Sequence, residues 1–181
     1  MRDRMGETCR KRVKLRMNNV TVSADGIPLP SWSDSISGYA IKVLDEIKRS
    51  NWELSILLCD DKTITNLNRQ YRNKNEATDV LSFNLGETVH DGGKTVYLPG
   101  DIVISLETLH ENSDFFRIPE DEELRRLIIH GILHLDGMDH TDTVEKQPVE
   151  PMLVLQEEIL NRLKNEFIIP VTHGEKSENP F

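Results

Sequence analysis

The chain has few of the features that mark secreted or membrane proteins. Cys9 and Cys59 are the only cysteines in 181 residues, too few for a disulfide scaffold, and they suit a reducing compartment. No apolar run approaches the roughly 18 to 20 residues that span a bilayer. No apolar segment follows the basic N-terminus as it does in a secretory signal. We therefore expect a cytoplasmic protein without a membrane contact.

Positive charge is scarce outside the first residues. The net charge is −9, and residues 1 to 16 hold seven basic and two acidic groups, which leaves −14 on the rest. A body this acidic argues against broad electrostatic binding of a nucleic-acid backbone but leaves room for a local basic groove. Residues 1–17 are interpreted as a basic extension, either a flexible end or an arm for RNA, and residues 171–181 as a polar tail.

Hydrophobic patterns between these ends predict alternating strands and helices. Four apolar or alternating runs indicate strands, at residues 20–22, 52–59, 78–83 and 101–104. Helical spacing follows five start signals, at Ser33 or Asp34, at Asp60 or Asp61, and at Ser105, Pro119 and Pro151. Residues 84–98 contain three glycines and are expected to form a mobile hairpin connection. We expect one α+β domain, α/β-like in its first half, with a mixed four-stranded sheet packed against about five helices.

Three of the six histidines lie within eleven residues near the end of the fourth predicted helix. His130 and His134 are four residues apart and therefore share one helix face. Gly137 stands where helices commonly reverse through a left-handed residue, which would return His140 toward the other two. One histidine on an apolar helix is usually structural, but three at this spacing predict a metal site. Three imidazoles with an open fourth position are typical of catalytic zinc, although nickel, copper and iron accept the same ligands.

The same spacing occurs in metalloproteases with the signature H-E-x-x-H-x-x-G-x-x-H. Those enzymes place a glutamate, the general base, directly after the first histidine. Gly131 stands there in this chain. This difference argues against peptide hydrolysis.

With glycine at that position, the stretch from His130 to His140 resembles the H-G-x-L-H-L-x-G-x-D-H motif of the YbeY family, bacterial metal-dependent endoribonucleases of ribosomal RNA maturation. Residues 67–74 with 77–83 are similar to that family's L-N-x-x-Y-R-x-K and T-[DN]-V-L-S-F segments, and residues 100–104 to its G-D-I-x-I strand. The likeness covers roughly residues 52–163. Departures at Asn84, Met138, Pro151-Met152 and Gln156 are not expected to touch a metal ligand.

The resemblance implies a metal-dependent hydrolase domain over residues 18–170. It implies that His130, His134 and His140 hold one Zn²⁺ per chain and that Arg72 is the cleft arginine required for RNA processing, with Lys74 as a weaker candidate for a neighbouring phosphate. The expected substrate is single-stranded ribosomal RNA precursor, including the 3′ end of 16S rRNA. Expected partners are small-subunit proteins and the ribosome-associated GTPase Era.

Three functions remain in competition at this point. The first is a zinc endoribonuclease of rRNA maturation and ribosome quality control. In this reading the RNA phosphate is attacked either by activated water or by the RNA's own 2′-hydroxyl. The second is a ribosome-assembly factor with a mainly structural zinc, which the acidic body favours. The third, a metalloprotease, is disfavoured by Gly131. Asp139 is expected either to orient a histidine or to cap the turn.

Overall fold

The structure, a computed structural model, describes residues 17–91, 93–140 and 150–170, which contain one sheet and five helices. The strands are β1 (Asn19–Asp25), β2 (Glu53–Cys59), β3 (Val80–Asp91) and β4 (Lys94–Ser105). The helices are α1 (Ser33–Glu46), α2 (Asp61–Arg72), α3 (Leu106–Phe116), α4 (Glu120–Leu135) and α5 (Pro151–Arg162). The polar tail and all but residue 17 of the expected extension lie outside these ranges. No helix within them is both long and apolar enough to cross a bilayer.

The four strands form one mixed sheet in the order β1-β2-β4-β3. β1 pairs with β2 and β2 with β4 in parallel, whereas β3 pairs with β4 antiparallel. The parallel pair β1 and β2 needs a crossover connection, which α1 supplies. The predicted α+β class, the mixed four-stranded sheet and the five helices are confirmed, and β3 forms one edge of the sheet.

The hairpin between β3 and β4 differs from the prediction. Residues 84–98 are mostly strand rather than loop, and the two strands pair as far as Asp91 and Lys94. Gly86, with φ of +68°, lies in the register shift between Asn84 and Glu87. Gly86 therefore belongs to a β-bulge between β3 and β4, whereas the sequence analysis interpreted it as a turn signal.

Apolar residues are buried on both faces of the sheet. The larger cluster joins one face to α1, α4 and α5. A smaller cluster lies on the other face, where α2 packs, and it consists of Cys59, Ile64, Leu81 and Val103. This second layer places the C-terminal end of α2 beside the edge strand β3, and α4 on the opposite side of the sheet.

Two predicted helix starts are confirmed by side-chain caps. Asp60 accepts a hydrogen bond from the Thr63 amide at 2.8 Å, and Ser105 accepts one from the Thr108 amide at 3.3 Å. Each cap satisfies an amide that has no partner within the helix. These caps fix where α2 and α3 begin.

Candidate metal centre

Helix α4 carries the first two histidines, and its other side packs on the sheet. Residues Leu124, Leu127, Ile128 and Leu135 are buried, as the helical spacing predicts. Four acidic residues occupy the first turn, where carboxylates favour the positive end of the helix dipole. The histidine pair lies at the opposite end of the helix, four residues apart, on the side that faces the cleft.

The end of α4 is a left-handed turn that reverses the chain. Gly137 has φ of +87°, and its amide donates to the His134 carbonyl at 3.0 Å. The Met138 amide donates to the Leu133 carbonyl, also at 3.0 Å. This pair of bonds is the Schellman arrangement, which glycine favours because it has no Cβ. The predicted return turn is confirmed, and it brings His140 back beside the helix.

The three imidazoles converge on one another. The Nε2 atom of His130 lies 3.1 Å from Nε2 of His134 and 3.4 Å from Nε2 of His140. One candidate ligand atom from each ring lies within 4.8 Å of the other two. Two zinc–nitrogen bonds of about 2.0–2.1 Å at a tetrahedral angle separate their nitrogens by about 3.3–3.4 Å. The donor set and its spacing fit a metal ion with nitrogen ligands.

Contacts on the far side of two rings fix which nitrogen faces the cluster. Nδ1 of His130 lies 2.9 Å from Oε1 of Gln156, and Nδ1 of His134 lies 3.1 Å from the carbonyl oxygen of Met138. Both partners only accept, so each Nδ1 carries the proton and each Nε2 keeps its lone pair. Burial lowers the pKa of His130 and of His134. At His134 the positive charge of Arg72 lowers the pKa further. Neutral imidazoles are the form that binds metals.

Gln156 corrects one expectation. The sequence departures were not expected to touch a metal ligand, yet Gln156 on α5 contacts His130 directly and is only 6% exposed. Its Nε2 donates to Glu157 at 3.1 Å, which orients the amide with its oxygen toward the histidine. Arg126 in turn holds Glu157 at 3.0 Å. Met138 also contributes, through its backbone carbonyl.

Asp139 caps the turn rather than orienting a ring. Its carboxylate accepts from the His140 amide at 2.8 Å, whereas it lies 3.8 Å from His134 Nδ1 and is largely exposed. His90 and His110 lie apart from the cluster: His90 contacts Thr95, and His110 pairs with Glu120. His173 lies outside the described residues.

Gly131 faces the sheet, not the cleft. A Cβ placed on it would lie 2.8 Å from Cδ1 of Ile102 in β4 and 3.0 Å from two further atoms of that side chain. A glutamate at this position would therefore point into the packed interface between α4 and β4. The absence of a protease-type general base thus has a steric reason in this fold.

Arg72 lies at the last residue of α2 and lines a cleft of about 600 Å³ together with His130, His134 and His140. Its side chain is exposed, and among the described residues it has no carboxylate partner. Its guanidinium is therefore available to an anion that enters the cleft. The structure brings the four predicted site residues to one cleft.

Sequence reasoning did not single out Asp79 as a cleft residue. Asp79 lines the cleft, and its carboxylate accepts from Asn112 Nδ2 at 3.1 Å and from the Val80 amide at 2.7 Å. Val80, Ser82 and Asn84 line the same cleft. Their alternation in the predicted strand was the available signal, because residues two apart face the same side of a sheet.

Fold and cleft together define a class: an α+β protein in which three imidazoles compatible with metal binding share a cleft with an arginine that pairs with no carboxylate of the described residues. Comparison with known proteins identifies the class further. A sequence model of the family described as Endoribonuclease YbeY matches residues 22–164. The chain belongs to the endoribonuclease YbeY family, as the sequence resemblance predicted.

Curated relatives cover most of the chain. A Treponema denticola protein named Endoribonuclease YbeY is 45% identical over 151 residues, which are 82% of this chain and 95% of that protein. The protein of the same name from Treponema pallidum strain Nichols is 47% identical over 145 residues, 80% of this chain and 89% of that protein. The solution structure of a Thermotoga maritima protein superposes with a TM-score of 0.55 at 24% identity, covering 81% of this chain and 91% of that one. This last likeness concerns the fold.

Proposed function

We propose that this protein is an endoribonuclease that cleaves single-stranded RNA at a zinc site held by His130, His134 and His140. The observation that carries the proposal is the convergence of three imidazoles on one cleft with an arginine that has no carboxylate partner among the described residues. Membership in a family named for endoribonuclease activity supports the same conclusion. One ion per chain would supply a Lewis acid to a phosphate oxygen and lower the pKa of a bound water.

The protein's own residues bind and orient the substrate in this proposal. Arg72 holds the scissile phosphate, because its planar fork pairs with two oxygens and offsets the charge that develops on them. Gln156 keeps Nε2 of His130 facing the cluster, and the Met138 carbonyl does the same for Nε2 of His134. The nucleophile is either water or the RNA's 2′-hydroxyl. The cleft accommodates either, since it is open and about 600 Å³ in volume.

The proposed setting is rRNA maturation in the cytoplasm, including processing of the 16S 3′ end, together with ribosome quality control. Small-subunit proteins and the GTPase Era are the proposed partners. The charge of −14 outside residues 1–16 suits basic ribosomal proteins better than free RNA. The same charge supports the second candidate, an assembly factor in which the metal mainly joins α4 to its return turn.

Cleavage of a labelled single-stranded rRNA precursor by metal-loaded protein tests the proposal. Arg72→Ala should lower the cleavage rate by about 10- to 150-fold, the effect of removing a charged hydrogen bond of about 1.5–3 kcal/mol. Its metal content and melting temperature should not change. Lys62→Ala, which removes an exposed positive charge from the first turn of the same helix, is the matched control and should cleave like wild type.

The enzyme proposal fails if wild type cleaves no better than Arg72→Ala. His134→Ala separates the two candidate functions. Loss of cleavage with a retained fold assigns the metal to catalysis, whereas unfolding with metal loss assigns it at least partly to structure. Casein serves as a second substrate, and no digestion is expected.

A further inference from the structure

The C-terminal end of α2 carries positive charge that no carboxylate in the described chain neutralises. Arg69, Arg72 and Lys74 fall within six residues, and none has an ion-pair partner among the described residues. Of the five other described arginines, Arg117 also has no ion-pair partner in that part of the chain, and four are each paired with a carboxylate, namely Arg49, Arg125, Arg126 and Arg162. In an acidic protein this end of α2 is therefore a local site for a polyanion.

An exposed aromatic ring lies in the middle of this cationic segment. Tyr71 is 60% exposed, and its ring meets that of Phe83 edge-to-face at a centroid distance of 5.0 Å. Phe83 is itself packed against the buried cluster beneath α2. The tyrosine ring is thus supported from below and open to solvent above, as a stacking surface for a planar group requires.

The ring and the metal-site cleft lie on the two sides of one edge strand. Ser82 and Asn84 line the cleft, whereas Phe83 between them packs on the opposite face of β3. Arg72 lines the cleft, and Tyr71 precedes it in the chain. A nucleic-acid strand whose phosphate reaches Arg72 can therefore cross the edge of β3 and present its next base to Tyr71.

We propose that Tyr71, supported by Phe83, stacks one nucleobase of single-stranded RNA beside the nucleotide that Arg72 holds, while Arg69 and Lys74 contact flanking phosphates. The inference rests on the proposed function and extends it to substrate selection. A base within a duplex is already stacked on both sides and cannot reach the tyrosine ring. The site therefore selects unpaired RNA without reading its sequence, since every base has a π-face.

Binding without cleavage tests this site. Full-length protein loaded with metal is titrated at fixed salt into a fluorescent 12-nucleotide single-stranded RNA with a 2′-O-methyl phosphorothioate backbone, which resists cleavage. Tyr71→Ala should weaken binding by about 5- to 150-fold, the effect of about 1–3 kcal/mol per stacked base. Tyr71→Phe should bind within about twofold of wild type because the ring is retained. Tyr71→Leu keeps an apolar contact with Phe83 but offers no flat ring, and it should behave like alanine.

Two controls separate stacking from charge and from general exposure. Phe115→Ala removes a ring that is 79% exposed at the end of α3 and should leave binding unchanged. Lys74→Ala should reduce the slope of log K against log salt by about 0.7, whereas the Tyr71 variants should keep the wild-type slope. Melting curves verify that each variant is folded.

The inference is overturned if Tyr71→Ala binds like wild type, if Tyr71→Phe is as weak as Tyr71→Ala, or if duplex RNA of the same sequence binds equally well. These outcomes are distinct from failure of the proposed function. RNA binding that depends on Tyr71, in a protein that cleaves no RNA when loaded with metal, retains the stacking site and removes the nuclease. If Tyr71→Ala changes neither RNA cleavage nor RNA binding, the nuclease proposal is retained and the stacking site is removed.

Discussion

Replacing Gly131 by alanine tests whether packing, rather than catalysis, accounts for glycine after the first histidine. Alanine in the interior of a helix is normally more stable than glycine by about 0.5–1 kcal/mol. At Gly131 the added Cβ would approach Ile102 Cδ1 to 2.8 Å. Overpacking of a well-packed core costs about 1–3 kcal/mol. The two effects oppose each other, so the change in the free energy of unfolding of Gly131→Ala alone does not separate them.

Gly38 on α1 resolves the ambiguity as a matched control. It also lies within a helix, it is exposed, and nothing lies within 4 Å of a Cβ placed on it. Gly38→Ala should therefore show the helix preference alone, and the free energy of unfolding should be higher for Gly38→Ala than for Gly131→Ala by about 1–3 kcal/mol. For a chain of this size that difference corresponds to roughly 2–12 °C in melting temperature.

Thermal unfolding in EDTA is the appropriate assay, because a bound metal would add its own stabilisation. Ile102→Val, which removes the Cδ1 methyl, should cost less in the Gly131→Ala background than in wild type, with a coupling of at least about 0.5 kcal/mol. If Gly131→Ala stabilises the protein as much as Gly38→Ala, or if the two changes simply add, the steric explanation is refuted.

Three further predictions concern residues outside the histidine cluster itself. Gln156→Ala should weaken zinc binding by about 10- to 100-fold, measured by competition with a chelating dye, because His130 loses the partner that orients it; unchanged affinity would contradict this role. Burial raises the pKa of the Cys59 thiol to about 12, so in a Cys9→Ser protein alkylation at pH 8.5 should be slow until denaturant is added. A thiol that stays protonated in the fold stabilises it below its unfolded pKa near 9, and this stabilisation should decline as the pH rises from about 9 toward 12. Gly100→Ala should destabilise the hairpin by at least about 1–3 kcal/mol, since φ is +134° and the new Cβ would overlap the β3 backbone, and amide exchange should report faster opening of β3 and β4.

Signals from residues close together in the chain were sufficient to predict the helices, most of the strands and the turn that returns His140 to α4. The sequence predicted that Asp60 or Asp61 opens α2 and that Ser105 caps α3. In the structure Asp60 and Ser105 each accept a bond from the amide three residues later. The spacing of His130 and His134 and the left-handed Gly137 likewise depend on neighbours in the chain. Interactions of this range are encoded in a short window of sequence, because helix geometry alone decides which atoms meet.

The prediction that residues 84–98 form the loop connection of the hairpin was wrong for a related reason. Gly86 and its neighbours have the composition of a loop, but cross-strand pairing with β4 holds residues 87–91 in a strand. A sequence window of a few residues shows the preference of each segment for a turn. It does not show the hydrogen bonds that a partner strand offers, and those bonds override the preference.

The sequence by itself determined the helices, the strand count, the three-histidine turn and, through its motifs, the family. Tertiary structure decided which residues support the site: Gln156 reaches His130 from α5 across 26 residues of chain. It also decided that Gly131 faces Ile102 rather than the cleft, and that Tyr71 rests on Phe83 at the edge of the sheet. These contacts join elements distant in sequence, and their geometry follows from how helices pack on the sheet, which residue spacing within one element does not specify.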